Sequence, residues 1–236
     1  DTQVFYAQGC SIMGDSRGGF DEAMEVARKS DTVIMVMGGK YGWGLSNTSG
    51  EGIDSSSIGF FGVQEEMIKA VAEIGKPIVL VQTEAKPISS KWAYNNIPAI
   101  LQAWIPGQEG GKRIADTLFG DLNPGGKMPM TVARSAGQIP SYYNHPNGSG
   151  YTYKGLNAKG YINESHKPLY YFGHGLSYTA FQYNKLEISK ARVNSTGSVD
   201  ISFDLKNTGE RTGDEVVQLY LKDIAASVVR PVKELE

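Results

Sequence analysis

The stretch Val33-Ile34-Met35-Val36-Met37, followed at once by Gly38-Gly39-Lys40-Tyr41-Gly42-Trp43-Gly44-Leu45-Ser46-Asn47-Thr48-Ser49-Gly50-Glu51-Gly52-Ile53-Asp54, decides how the chain is read. A short unbroken apolar run, broken on its amino side by Ser30-Asp31, reads as a fully buried parallel strand from Thr32 to Met37. It opens into a glycine-rich polar loop. In open α/β sheets ligands bind outside the carboxyl ends of the strands, where the strand order leaves a crevice. One carboxylate of the loop, Glu51, has glycine on both sides, so the backbone there can come close to a bound molecule.

Working outward, Phe20, Ala23, Met24 and Ala27 recur at helical spacing within Phe20 to Lys29. Beyond the loop, Val63, Met67, Val71 and Ile74 share one face of an amphipathic helix from Gly62 to Ile74. Gly75 suits a left-handed cap and Pro77 prevents continuation, so Ile78-Val79-Leu80-Val81 is the next strand. The unit recurs as a short helix at Ser89 to Tyr94, a strand at Ala99 to Trp104, and a helix at Gly110 to Phe119 with Ile114 and Leu118 inward. Asn123 to Gly126 is turn chemistry, and Met128 to Val132 reads as an edge strand, where Pro129 is tolerated. Strand and helix alternate over residues 18 to 135, which predicts an α/β fold with a mostly parallel sheet and helices on both faces, an α/β sandwich.

From Ser141 to Tyr183 the composition turns to tyrosine, glycine, asparagine and histidine without sustained periodicity. From Leu186 the pattern alternates strictly: Val199, Ile201, Phe203 and Leu205 share one face. Asn207 to Gly213 is a turn and Glu215 to Lys222 a further strand. This predicts the start of an all-β sandwich of immunoglobulin or fibronectin type III kind, with about 50 of the roughly 100 residues usual for one. The expected division is 1–140 for the α/β unit, 141–183 for a long connection, and 184–236 for an incomplete β-domain.

Composition bounds the function. With 23 Lys+Arg against 25 Asp+Glu and a formal charge of -2, the 236 residues carry no basic excess, and nucleic acid is not an expected partner. No apolar run approaches the ~20 residues that span a bilayer, so no membrane is expected. Cys10 is alone, which excludes an internal disulfide. The amino end has neither the pattern of a signal peptide nor an initiator Met, which reads as a piece of something longer. Asn-x-Ser/Thr triplets at Asn47, Asn147, Asn163 and Asn194 matter only in a eukaryotic secretory pathway, and the compartment stays open. The loop contains neither G-x-G-x-x-G nor G-K-[ST], and no helix directly follows it, which disfavours nucleotide binding; no cofactor is expected. His145, His166 and His174 lack paired spacing, so no metal set emerges, and there is no G-x-S-x-G elbow.

What remains is the loop. A general acid for glycoside cleavage must reach the leaving oxygen and face a second carboxylate. Glu51 meets the requirement of reach; the competing description is an ordinary solvent-exposed loop glutamate. Asp54 either holds the loop or is simply wet. Lys40, Tyr41 and Trp43 suit polar and stacking contacts to a sugar ring and equally suit loop packing. Glu109 lies where a helix starts, a position in which the dipole favours a carboxylate.

Several longer segments occur together and in order: Ser49-Gly50-Glu51-Gly52-Ile53-Asp54, Gly62-Val63-Gln64-Glu65-Glu66, Gly75-Lys76-Pro77-Ile78-Val79-Leu80-Val81 and Ala103-Trp104-Ile105-Pro106-Gly107-Gln108-Glu109-Gly110-Gly111. They continue through Ile114 to Pro129, Pro140 to His145, Phe172 to Thr179, Asn207 to Gly209 and Gly213 to Tyr220. In this the chain resembles, over nearly its whole length, the carboxyl-terminal part of a family 3 glycoside hydrolase, the β-glucosidases and β-xylosidases. The resemblance implies an α/β sandwich followed by a fibronectin type III-like domain, behind an amino-terminal barrel that would supply an aspartate nucleophile. It further implies a retaining exo-β-glycosidase acting on β-linked glucosides or xylosides, with Glu51 as acid/base. Many relatives carry arginine shortly after that glutamate; this chain has Ile53 and Ser55 instead. The expectation from a different class is a non-catalytic carbohydrate-binding or interaction module.

Overall fold

A computed structural model describes residues 2–146 and 161–236. The Asn147 triplet and residues 147–160 of the expected connection lie outside the described residues. The α/β part runs α1 (Phe20–Lys29), β1 (Val33–Gly38), α2 (Gln64–Ala72), β2 (Ile78–Thr83), α3 (Lys91–Asn96), β3 (Ala99–Gln102) and α4 (Gly110–Phe119). Each helix forms for local reasons. In α1, Asp21 and Glu22 occupy the first turn and Arg28 and Lys29 the last, matching the macrodipole at both ends. The short α3 is started by the Ser90 hydroxyl, which accepts from the Ala93 N–H at 3.1 Å. Glu109 takes the N-cap position of α4 with no side-chain capping bond, so only the dipole term of its expected role remains.

The three strands pair in parallel in the order β1-β2-β3, with Met35 opposite Leu80 and Leu80 opposite Ile100. One face of this sheet is packed by Ala27 from α1, by Met67, Ile68 and Val71 from α2, and by Ala93 and Ile97, all buried with Met35, Ile78 and Leu80. Complete burial of one such side chain stabilises by roughly 1.5–3 kcal/mol, so this cluster is the part of the molecule that holds the strands in register. The expectation of a fully buried β1 is corrected. Met35 is 6% exposed, whereas Ile34 and Val36, pointing to the other face, are 46% and 60% exposed. β1 is an edge strand of the three-stranded sheet, and the face opposite Met35 is open at β1 although Val81 of β2, paired with Val36, is 0% exposed.

Two further boundaries differ from the periodicity. Met128 to Val132 forms no regular strand; it runs beside 169–174 through bonds such as Met128 N–H to His174 C=O at 2.7 Å and Val132 N–H to Tyr170 C=O at 2.8 Å. Pro129 and its missing N–H interrupt the ladder. In the last third, β4 (Phe181–Ile188) and β5 (Ile201–Asn207) make one antiparallel pair, and β6 (Tyr220–Leu221) and β7 (Glu234–Leu235) another. Of the expected strand Glu215 to Lys222 only Tyr220–Leu221 is regular. The alternating face is present but little buried, with Ile201 at 39% and Leu205 at 41% exposed.

The two parts meet through specific polar contacts. Asn123 accepts from the Ser177 hydroxyl at 2.9 Å and the Tyr178 N–H at 2.8 Å, and donates to the Thr212 carbonyl at 3.0 Å. Arg211 caps α4 by donating to the Gly120 carbonyl at 2.7 Å. Lys127 pairs with Glu215 at 3.3 Å, both side chains 15% exposed.

Candidate functional site

The three parallel strands end side by side, and each exit is unusual. β1 ends at Gly38, whose peptide is gripped by a buried side chain from α2: Gln64 accepts the Gly38 N–H at 2.7 Å and donates to the Gly38 carbonyl at 2.7 Å and to the Ile12 carbonyl at 2.9 Å. β2 is followed by Glu84, a carboxylate only 2% exposed. β3 is followed by Trp104, held at φ 56°, a left-handed conformation that bulky residues adopt rarely. Crevices of this kind, at strand ends with strained backbone, are where α/β sheets place their chemistry.

The loop leaving β1 folds back on its own start. Thr48 N–H donates to Lys40 C=O at 2.8 Å, and Gly42 N–H to Ser49 C=O at 3.0 Å. Asn47, 7% exposed, ties the outer bend by donating to the Trp43 carbonyl at 2.6 Å. With its amide committed there, Asn47 cannot accept a glycan without opening the loop, although Asn163 and Asn194 are exposed. A tight turn then closes between Gly50 and Ile53, whose N–H and C=O groups exchange bonds at 3.0 and 3.3 Å. Glu51 occupies the first central position of this turn and is exposed.

Trp43, Gly44, Leu45, Glu51, Gly52 and Ile53 line one open depression of about 400 Å³. The fold therefore brings Glu51 and Trp43 to one surface, with the Trp43 ring 71% exposed. Lys40 and Tyr41 are exposed but do not line it. Asp54 is turned the other way, paired with Lys86 Nζ at 2.5 Å; that hydrogen bond holds its carboxyl below the usual range. Of the carboxylates, Glu51 alone lines the depression. Glu84, Leu45 and Ile53 were not singled out from sequence. Glu84 lies two polar residues beyond the second apolar run, Ile78 to Val81, so its place near a strand exit was the one signal the sequence offered for it.

A larger depression of about 570 Å³ lies elsewhere, walled by residues such as Trp92, Asn95, Lys91, Arg134 and Glu164. There Lys91 is paired with Glu164 and Arg134 donates to the Lys167 carbonyl at 2.8 Å, so its charges are already engaged. Among the described residues no group of three His, Cys, Asp or Glu could hold a metal, and no helix is long and apolar enough to cross a membrane.

Comparison with known proteins addresses the same stretch. Residues 3–178 match the model of the glycosyl hydrolase family 3 C-terminal domain. A β-xylosidase of Formosa agariphila is 39% identical over 236 residues, covering 99% of this chain and 31% of that protein. A periplasmic β-glucosidase of Salmonella typhimurium is 40% identical over 219 residues, covering 92% of this chain and 28% of that protein. Among solved structures, a β-glucosidase from Erythrobacter marinus superposes with a TM-score of 0.87 at 34% identity, covering 99% of this chain and 33% of that one. A Listeria innocua β-glucosidase in complex with isofagomine gives 0.86 at 31% identity, covering 96% and 32%. The chain thus spans about a third or less of the relatives it matches. The matched segment takes in the β1 strand, the Glu51 turn and the Glu84 exit together, and the chain belongs to glycosyl hydrolase family 3, as its C-terminal domain.

Proposed function

We propose that this chain supplies the general acid/base of a retaining exo-β-glycosidase that removes terminal β-linked glucose or xylose. Glu51 protonates the leaving oxygen in the first step and deprotonates the attacking water in the second. The observation that carries this is the exposed Glu51 carboxylate on a tight turn at a strand exit, sharing a depression with an exposed Trp43 and with no second carboxylate. A retaining site needs a nucleophile about 5–5.5 Å from the acid/base. That partner is assigned to a barrel domain elsewhere in the same enzyme, consistent with relatives about three times as long. Trp43 offers a stacking face to the substrate, and the exposed Lys40 and Tyr41, earlier in the same loop and outside the depression, would reach only a substrate that extends beyond it. Asp54 acts on the loop through Lys86 rather than on the sugar. The finer architecture follows the same proposal: an α/β sandwich over 1–140, a connection over 141–183 and a fibronectin type III-like part over 184–236.

The test is the purified chain alone. Incubated with 4-nitrophenyl β-glucoside and β-xyloside it should release no nitrophenol, and titration calorimetry with cello- and xylo-oligosaccharides should show no saturable binding. Turnover would overturn the half-site assignment. Saturable binding without turnover would favour a dedicated carbohydrate-binding module.

A further inference from the structure

The Glu84 side chain, 2% exposed, meets only neutral donors: among the described residues no cation pairs with it. Taking a carboxylate out of water is costly unless hydrogen bonds replace the lost hydration. Its three donors are the Ser49 hydroxyl at 2.8 Å and the Ala85 N–H at 2.7 Å on Oε1, and the Thr48 hydroxyl on Oε2 at 3.0 Å. Thr48 Oγ1 also accepts the Lys40 N–H at 2.8 Å and lies 3.0 Å from the Lys40 carbonyl. Its single proton goes to the charged acceptor, the stronger of the two. The carboxylate can lie across the backbone because residue 39 is glycine: a Cβ at Gly39 would sit 1.5 Å from Glu84 Oε2 and 2.3 Å from Thr48 Oγ1.

Thr48 and Ser49 lead directly into the Gly50–Ile53 turn. On the far side of that turn Lys86 holds Asp54 and donates to the Ser55 carbonyl at 3.1 Å. Residues 84 to 86, directly after β2, therefore grip both stems of the turn that carries Glu51. We propose that Glu84 is a positioning residue for the reaction: the buried carboxylate fixes Thr48 and Ser49, and through them the place of the Glu51 carboxyl. This inference rests on the acid/base assignment of Glu51 made above.

The test is made in the full-length enzyme, using kcat/KM for two β-glycosides, one with a 2,4-dinitrophenyl leaving group and one with an alkyl leaving group. Only the second needs a proton from the enzyme in the glycosylation step. A displacement of about 1 Å costs on the order of 100-fold, so Glu84→Ala should lose roughly that on the alkyl glycoside and less than about threefold on the dinitrophenyl glycoside. Glu84→Gln, which keeps one acceptor oxygen, should recover most of the loss. If Glu84→Ala does not fold, the pair Thr48→Val with Ser49→Ala removes the two hydroxyl bonds that tie Glu84 to the turn, leaving the Ala85 N–H bond, and should show the same selectivity. Added to Glu51→Ala, the Glu84→Ala change should have no further effect on the alkyl glycoside. Equal losses on both substrates, or additivity with Glu51→Ala, would overturn the Glu84 proposal. A Glu51→Ala variant without leaving-group selectivity would instead overturn the acid/base assignment itself.

Discussion

Replacing Gly50 with alanine perturbs the Glu51 turn at its tightest point. Gly50 has φ 152°, a conformation rare for residues with a side chain, and its Cβ would lie 1.8 Å from the Gly42 carbonyl oxygen. Opening that separation to the 3.0 Å below which Cβ contacts are essentially never seen moves the two backbones apart by about 1.2 Å. Strain in the left-handed half of conformational space adds of order 1–3 kcal/mol. The Gly42 N–H to Ser49 C=O bond and the Gly50 to Ile53 closure both lie on the displaced path. A catalytic group misplaced by about 1 Å loses on the order of 100-fold, so kcat/KM of the full-length Gly50→Ala enzyme on an alkyl β-glycoside should fall by about that factor. Gly52→Ala is the control. Gly52 also has a positive φ, of 73°, but nothing lies within 4 Å of its Cβ, so strain occurs there without displacement. Its loss should be only a few-fold. Steady-state kinetics on both variants decide it: equal activities, or a Gly50→Ala enzyme as active as the parent, would refute the claim that this turn sets the position of Glu51.

Gln64→Leu should destabilise the full-length enzyme by about 2–5 kcal/mol in urea denaturation, because it strands both polar groups of the Gly38 peptide in a buried place; a loss under 1 kcal/mol would contradict the clasp. Asn123→Ala removes two bonds to the connection at Ser177 and Tyr178 and one to Thr212 of the β part and should cost about 1–3 kcal/mol, while limited proteolysis should show faster cleavage near residue 180 with no change in the β1–β3 sheet. Burial, with Lys127 nearby, pushes the His174 imidazole below its ordinary 6.5. On acidification the unfolded chain takes up that proton first, so this contribution to stability is complete above about pH 6.5 and is lost as pH falls through the lower folded value. A His174→Gln variant should show a flatter stability–pH curve below 6.5 in denaturation experiments; an unchanged slope would contradict the shift.

The helices and strands of the α/β part were legible because their signals are local. Phe20–Lys29 matches its apolar spacing and its charged ends, and Gly75 takes the left-handed φ of 79° that its place before Pro77 suggests. Burial was less legible. The run Val33 to Met37 is apolar on both sides, yet Ile34 and Val36 face outward, since a strand's position at the edge of a sheet depends on pairing rather than on its own residues. Met128 to Val132 and Glu215 to Lys222 carried strand composition but few ladder bonds, one because of Pro129 and the other because regular pairing is confined to Tyr220–Leu221. In the site, Glu51 stood out by its flanking glycines. Glu84 offered only its place near a strand exit, because its role in organising the loop is defined by the hydroxyls of residues 35 and 36 positions away. Asp54 could be read either way until Lys86, 32 residues on, was placed against it.

The most direct measurement is the dependence of kcat/KM on leaving-group acidity for Glu51→Ala in the full-length enzyme. The acid role requires near-parental values for dinitrophenyl glycosides, losses of about 10²–10⁴-fold for alkyl glycosides, and a kcat on activated substrates that azide restores as the glycosyl azide forms. Equal losses across the series, with no response to azide, would contradict it.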